Sequence, residues 1–96
     1  MKISEITVED LRNYVREDND DEATMTSFSM MLNATKAYIK SYTGLSDEQL
    51  DENEDLTIVV FVLVSDMYDN RTYSVQNDKV NKVVSTILNM HSRNLL

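Results

Sequence analysis

Ninety-six residues with no cysteine, no proline, a single glycine and a formal charge of −8 narrow the possibilities before any motif is considered. A chain of this length makes one domain, residues 1–96, that buries only roughly 60–65% of its unfolded surface, with no disulfide to compensate for a thin core and no thiolate for chemistry. The acidic balance argues against a duplex-binding surface, because such binding is driven largely by Lys and Arg neutralising phosphates.

The longest apolar run, Ile58 to Val64, falls far short of the roughly 20 residues needed to cross a bilayer, so no membrane role is expected. Met1 to Asp10 already carry charge and lack an apolar h-region, which, with the missing cysteines, leads us to expect a reducing cytoplasm. Hairpins need Gly, Pro or Asn-Gly turns, and this chain has almost none, whereas helical connections manage with the Asn, Asp and Ser that are plentiful here. The charge is unevenly placed: residues 1–55 hold 14 acids and 5 bases, and residues 56–96 hold 3 acids and 4 bases. Solubility explains the total, and an interaction protein with two unlike faces would explain the placement.

Taken in chain order, Thr7 followed three residues later by Asp10 resembles a capping box with Asp in place of Glu or Gln. Leu11, Tyr14 and Val15 then share a face, which predicts a short helix from Val8 to about Arg16. Glu17 to Glu22 is a polar, acidic linker whose carboxylates suit the dipole of a following helix. Met25, Phe28, Leu32, Thr35, Ile39 and Tyr42 are spaced alternately three and four apart, one continuous stripe that predicts a helix from about Asp21 to Thr43. Gly44 fits the left-handed position that stops it. Leu45 to Asp55 reads as an acidic connection, with Ser46 and Glu48 to Leu50 making a single turn.

Leu56 to Val64 is β-branched and uniformly apolar, so propensity alone favours a buried strand. A buried strand needs a partner, and no second strand pattern exists in the chain. The apolar residues also continue at helical spacing through Val60, Leu63, Val64, Met67 and Tyr68, which predicts a central buried helix from about Asp55 to Thr72. Tyr73 to Asp78 is a second polar connection. Val80, Val83, Val84, Ile87, Leu88 and His91 then define an amphipathic terminal helix ending near Arg93, with Asn94 to Leu96 frayed. The whole predicts an all-α, single-domain bundle of about four helices, two of them long and central.

Motifs for chemistry fail one by one. An EF-hand loop needs Gly at its sixth position and a bidentate carboxylate at its twelfth. Counted from Asp18 these positions hold Ala23 and Ser29, and from Asp47 they hold Glu52 and Ile58, so no calcium or other metal site is expected. His91 is the only histidine, which denies the chain a His-His metal pair. Ser65-Asp66 has no base nearby in sequence, and one glycine excludes a P-loop or dinucleotide fingerprint. We therefore expect no catalytic residues, no cofactor and no enzymatic activity. Arg71 stands out at the end of the most apolar segment, with Met67 and Tyr68 one turn back to hold its stem. It is either a cation complementing a helix dipole or an inter-subunit anchor, since Arg and Tyr are enriched at interface hot spots. Tyr68, Arg71, His91 and Arg93 are the candidate subunit-interface residues.

Three stretches carry a family resemblance: Leu11-Arg-Asn-Tyr-Val-Arg-Glu-Asp-Asn-Asp-Asp-Glu22, Ala34-Thr-Lys-Ala-Tyr-Ile-Lys-Ser-Tyr-Thr-Gly44, and Met67-Tyr-Asp-Asn-Arg71. In this order and spacing they resemble the head–tail connector proteins of tailed bacteriophages, also described as DNA-packaging proteins. The family often ends in a "LLxxYR"-like sequence, where this chain has Ile87-Leu-Asn-Met-His-Ser-Arg93, and the segment after Arg71 is short. The resemblance implies a homo-oligomeric ring beneath the portal protein, bridging to a tail-completion protein and leaving a channel for DNA, without sequence-specific nucleic acid binding. It implies a place at the head–tail junction of the virion and, during assembly, in the host cytoplasm. Two other readings stand beside it: an acidic helical inhibitor that mimics nucleic acid, and a small helical regulatory module.

Overall fold

A computed structural model describes residues 1–70 and 82–91. After a single 3-10 turn at Ile3–Glu5, five helices follow: α1 (Val8–Val15), α2 (Glu22–Thr43), α3 (Asp47–Glu52), α4 (Leu56–Asn70) and α5 (Lys82–His91). The protein is all-α, as its turn-poor composition predicts, and no strand occurs among the described residues.

Helices α1, α2 and α3 each start where a side chain satisfies an orphan amide. At α1 the Asp10 N–H donates to Thr7 Oγ1 (3.1 Å) and the Thr7 N–H donates to Asp10 Oδ2 (2.9 Å), so the shortened acid does complete the capping box. At α2, Asp21 is the cap itself rather than the first helical residue, accepting from the Thr24 N–H at 2.7 Å. Gly44 ends α2 in the left-handed conformation, φ 73°, its N–H donating to the Lys40 carbonyl. The expected single turn after it is instead a six-residue helix, because Ser46 and Gln49 form a second reciprocal capping box. α4 begins one residue later than its apolar pattern predicts, and its predicted end at Thr72 lies outside the described residues. Arg71, Thr72, the predicted connection Tyr73 to Asp78, the start of the last helix at Val80, and Arg93 with the tail Asn94 to Leu96 lie outside the described residues.

α2 and α4 form the central pair and run antiparallel, since Phe28 near the start of α2 stacks on Tyr68 near the end of α4 (centroids 5.4 Å apart). The stripe anticipated on α2 faces this seam: Phe28, Leu32, Thr35 and Ile39 are buried, and Met25 and Tyr42 border it. From α4 it meets Leu56, Val59, Val60, Leu63, Val64 and Met67. α1 runs along one flank of α4 and contributes Leu11; α5 packs on α2 and α4 through Val84 and Leu88. The 3-10 turn and α3 close the end where α2 finishes and α4 begins, with Ile3, Ile6, Leu45 and Leu50 buried there. The Cα radius of gyration is 13.0 Å.

Candidate functional site

The four candidate interface residues divide. Tyr68 is half-buried, stacked on Phe28, and its hydroxyl donates to Glu17 Oε1 at 2.7 Å. That bond ties the end of α4 to the acidic linker that leaves α1. His91, the last residue of α5, is also half-buried, and its Nε2 lies 2.8 Å from Oδ2 of Asp55 just before α4. Asp55 and Tyr68 are 13 positions apart, so the two candidates sit roughly 20 Å apart at opposite ends of α4 and form no single cluster. Arg71 and Arg93 fall outside the described residues.

Sequence reading missed Arg12. Its guanidinium is mostly buried and donates to the carbonyls of Glu17 (3.2 Å) and Asn19 (3.1 Å) and to Glu9 Oε2 (2.7 Å). One arginine thus folds the acidic linker back onto α1. The signal was present in the sequence as a cation inside a short helix followed by five acids in six residues, but only the turn at Arg16, φ 62°, brings the linker carbonyls within reach.

Among the described residues no group of three or more His, Asp or Glu side chains is placed to hold a metal. A surface recess lies between the 3-10 turn, α2 and α3, bordered by Ile3, Ser4, Lys36, Asp47, Leu50 and Asp51. Its carboxylates are already engaged: the Ser4 N–H donates to Asp51 Oδ1 (2.9 Å), and Lys40 Nζ lies 3.2 Å from Asp47 Oδ1. Hydrogen bonds from Ser4 hold the Asp51 carboxyl below its ordinary range, which keeps it ionised, the opposite of what a proton donor at neutral pH requires.

The arrangement of charge is the dominant feature. Glu17 to Glu22 stand at one end of the α2–α4 pair together with Asp66 and Asp69, and Asp47 to Asp55 stand at the other. Between them, α2 carries no carboxylate from Ala23 to Thr43, and α4 carries no charge at all from Leu56 to Ser65. The described molecule has two acidic poles, and the α2–α4 pair between them carries only the two cations Lys36 and Lys40. No helix among the described residues is long and apolar enough to cross a membrane. Neither a family model, nor a curated protein, nor a solved structure matches this chain.

Proposed function

We propose that this protein is a structural, non-enzymatic subunit that works by self-assembly, as a head–tail connector of a tailed bacteriophage forming a ring beneath the portal. The observation that carries the reading is the ordered set of three connector-like stretches on an all-helical body: α1 with its acidic linker, the second half of α2 to Gly44, and the end of α4. Two of these stretches touch through the Glu17–Tyr68 hydrogen bond, which supports reading them together. Charge segregation supports association as well, since carboxylates gathered at two poles leave the α2–α4 pair between them without the repulsion that a uniformly acidic surface would impose. A nucleic-acid mimic would instead need its carboxylates along one face.

The test is electron microscopy of the protein mixed with its portal. Rings stacked on the portal are the expected result; a portal that stays bare at high protein concentration rejects the connector role. Arg71→Ala is expected to weaken this assembly while costing the monomer under about 1 kcal/mol, the scale of a surface dipole contact. Loss of several kcal/mol in the monomer with assembly intact would assign Arg71 to the core instead.

A further inference from the structure

The branched aliphatic residues follow one rule with one exception. Every described leucine is buried, Leu32 being the most open at 8%. Among the Leu, Ile and Val side chains that are described, Ile58 alone is exposed, at 57%. Asp55 stands immediately before α4, and Ile58 and Val62 follow it on the same side of the helix, three and seven positions on. Val62 is half-buried, so the pair leaves an apolar strip open toward the start of α4. The same place is where α5 ends. His91 Nε2 lies 2.8 Å from Asp55 Oδ2, and the Tyr42 hydroxyl of α2 donates to Asn89 Oδ1, so the last turn of α5 is held at the foot of the strip from two sides.

We propose that the chain covers this strip itself: residues 92–96, Ser-Arg-Asn-Leu-Leu, turn back from His91 and seat Leu95 and Leu96 on Ile58 and Val62. Place and reach select this occupant. The segment follows His91 directly, and the four residues from His91 to Leu95 span up to about 13–14 Å. Ile58 and Val62 lie only about 4.5 and 10.5 Å along the helix from Asp55. The other segment outside the described residues, 71–81, leaves α4 at Asn70, roughly 18 Å beyond Ile58, and has to return to Lys82. Composition selects it as well, because Leu95 and Leu96 are the only leucines that the buried set does not include. A tether this short holds them beside the strip at an effective concentration on the order of millimolar, which a separate molecule at micromolar concentration does not match. The contact draws on apolar burial alone, since the Asp55 carboxylate is already engaged by His91. It gives Asn94 to Leu96 a seat where the sequence pattern predicts fraying. The inference does not depend on the assembly reading, but it bears on it: a partner that takes the Ile58 strip has first to displace this segment.

The chain has no cysteine, so an introduced pair reports on this contact without background. In the full chain, Val62→Cys with Leu95→Cys leaves Ile58 and Leu96 to make the contact, and a disulfide forms only where the two Cα atoms come within about 7 Å. Met30→Cys with Leu95→Cys is the control, because Met30 is exposed on α2 toward the Phe28–Tyr68 end, away from His91. Under mild oxidation at micromolar concentration, the Val62 pair is expected to close within one molecule at least about tenfold faster than the control, read by mass and by non-reducing electrophoresis. Equal rates for the two pairs would leave residues 92–96 with no preferred seat and overturn the proposal. Disulfides only between molecules would give the strip to a second copy and also overturn it, as would no disulfide at all in a pair that keeps its helical circular dichroism. If the Val62→Cys variant loses its fold, Leu95→Ser with Leu96→Ser in an otherwise unaltered chain is the second measurement. It is expected to raise the fluorescence of an added hydrophobic dye several-fold by uncovering Ile58, and unchanged fluorescence would overturn the proposal.

Discussion

At the scale of residues, the least settled group in the core is Thr35. It is fully buried on α2 and its Oγ1 has no hydrogen-bond partner among the described residues. Its methyl fills the seam and its hydroxyl forfeits hydration, so Thr35→Val should raise stability by about 1 kcal/mol, measured by urea unfolding. Tyr68 presents the opposite case, because its hydroxyl is bonded to Glu17; Tyr68→Phe should cost about 1 kcal/mol and loosen the linker. Two carboxylates set the acid limb of stability. Hydrogen bonds from Thr24 lower the Asp21 pKa, and hydrogen bonds from Ser4 lower that of Asp51. A folded pKa below the unfolded one gives stabilisation that is complete above the unfolded value, about 3.9, and lost as pH falls through the folded value. Asp21→Asn and Asp51→Asn should therefore flatten the fall in melting temperature below about pH 4 and change its slope little at neutral pH. A melting curve whose acid limb is unchanged in both variants would refute this assignment.

At the scale of elements, α4 is where local preference and fold disagree. Its Ile and Val residues favour extended backbone, yet with no strand to pair with, a helix is the only structure that satisfies every backbone amide internally. The spacing from Val60 to Tyr68 made that legible in the sequence, as did the period of α2 and the cap at Thr7. The extent of α3 was not legible as a helix, because acidic Asp47 to Asp55 reads as solvated linker until Gln49 is seen closing on Ser46. Arg12 was missed for a related reason: its partners are carbonyls, which have no signature in side-chain pattern. Of the candidate site, the residue types Tyr and His were legible, but their separation at opposite ends of α4 follows from the antiparallel pairing. Gly44 is the one position where the chain demands a left-handed glycine to stop a long helix. Gly44→Ala should cost about 1–2 kcal/mol in thermal or urea unfolding. A neutral result would mean that the capping boxes, not the glycine, end α2.

At the scale of the whole molecule, the compact 13.0 Å radius of gyration is the reference against which assembly is read. Small-angle scattering at high concentration, moderate salt and with portal present should move from this value to that of an annulus several times larger. Copies of a chain with a net charge of −8 repel one another, so screening should favour closure. Association that weakens as salt rises would show that attraction between charges, not relief of repulsion, holds the copies together.

The Tyr14–Phe61 pair has a spectroscopic corollary. The chain contains no tryptophan, so its ultraviolet emission comes from five tyrosines. Tyr38 and Tyr42 are half-buried beside each other on α2, and Tyr68 is held by Glu17. Tyr14 alone of these four keeps half its surface in water, with its ring already resting on a neighbouring aromatic. Covering it shields the phenol from collisional quenchers without rearranging the other rings. The molecule thus carries its own label where α1 meets Phe61 of α4, and the fraction of emission accessible to acrylamide becomes a titratable measure of whether that surface is open or covered, with Tyr14→Phe as the blank.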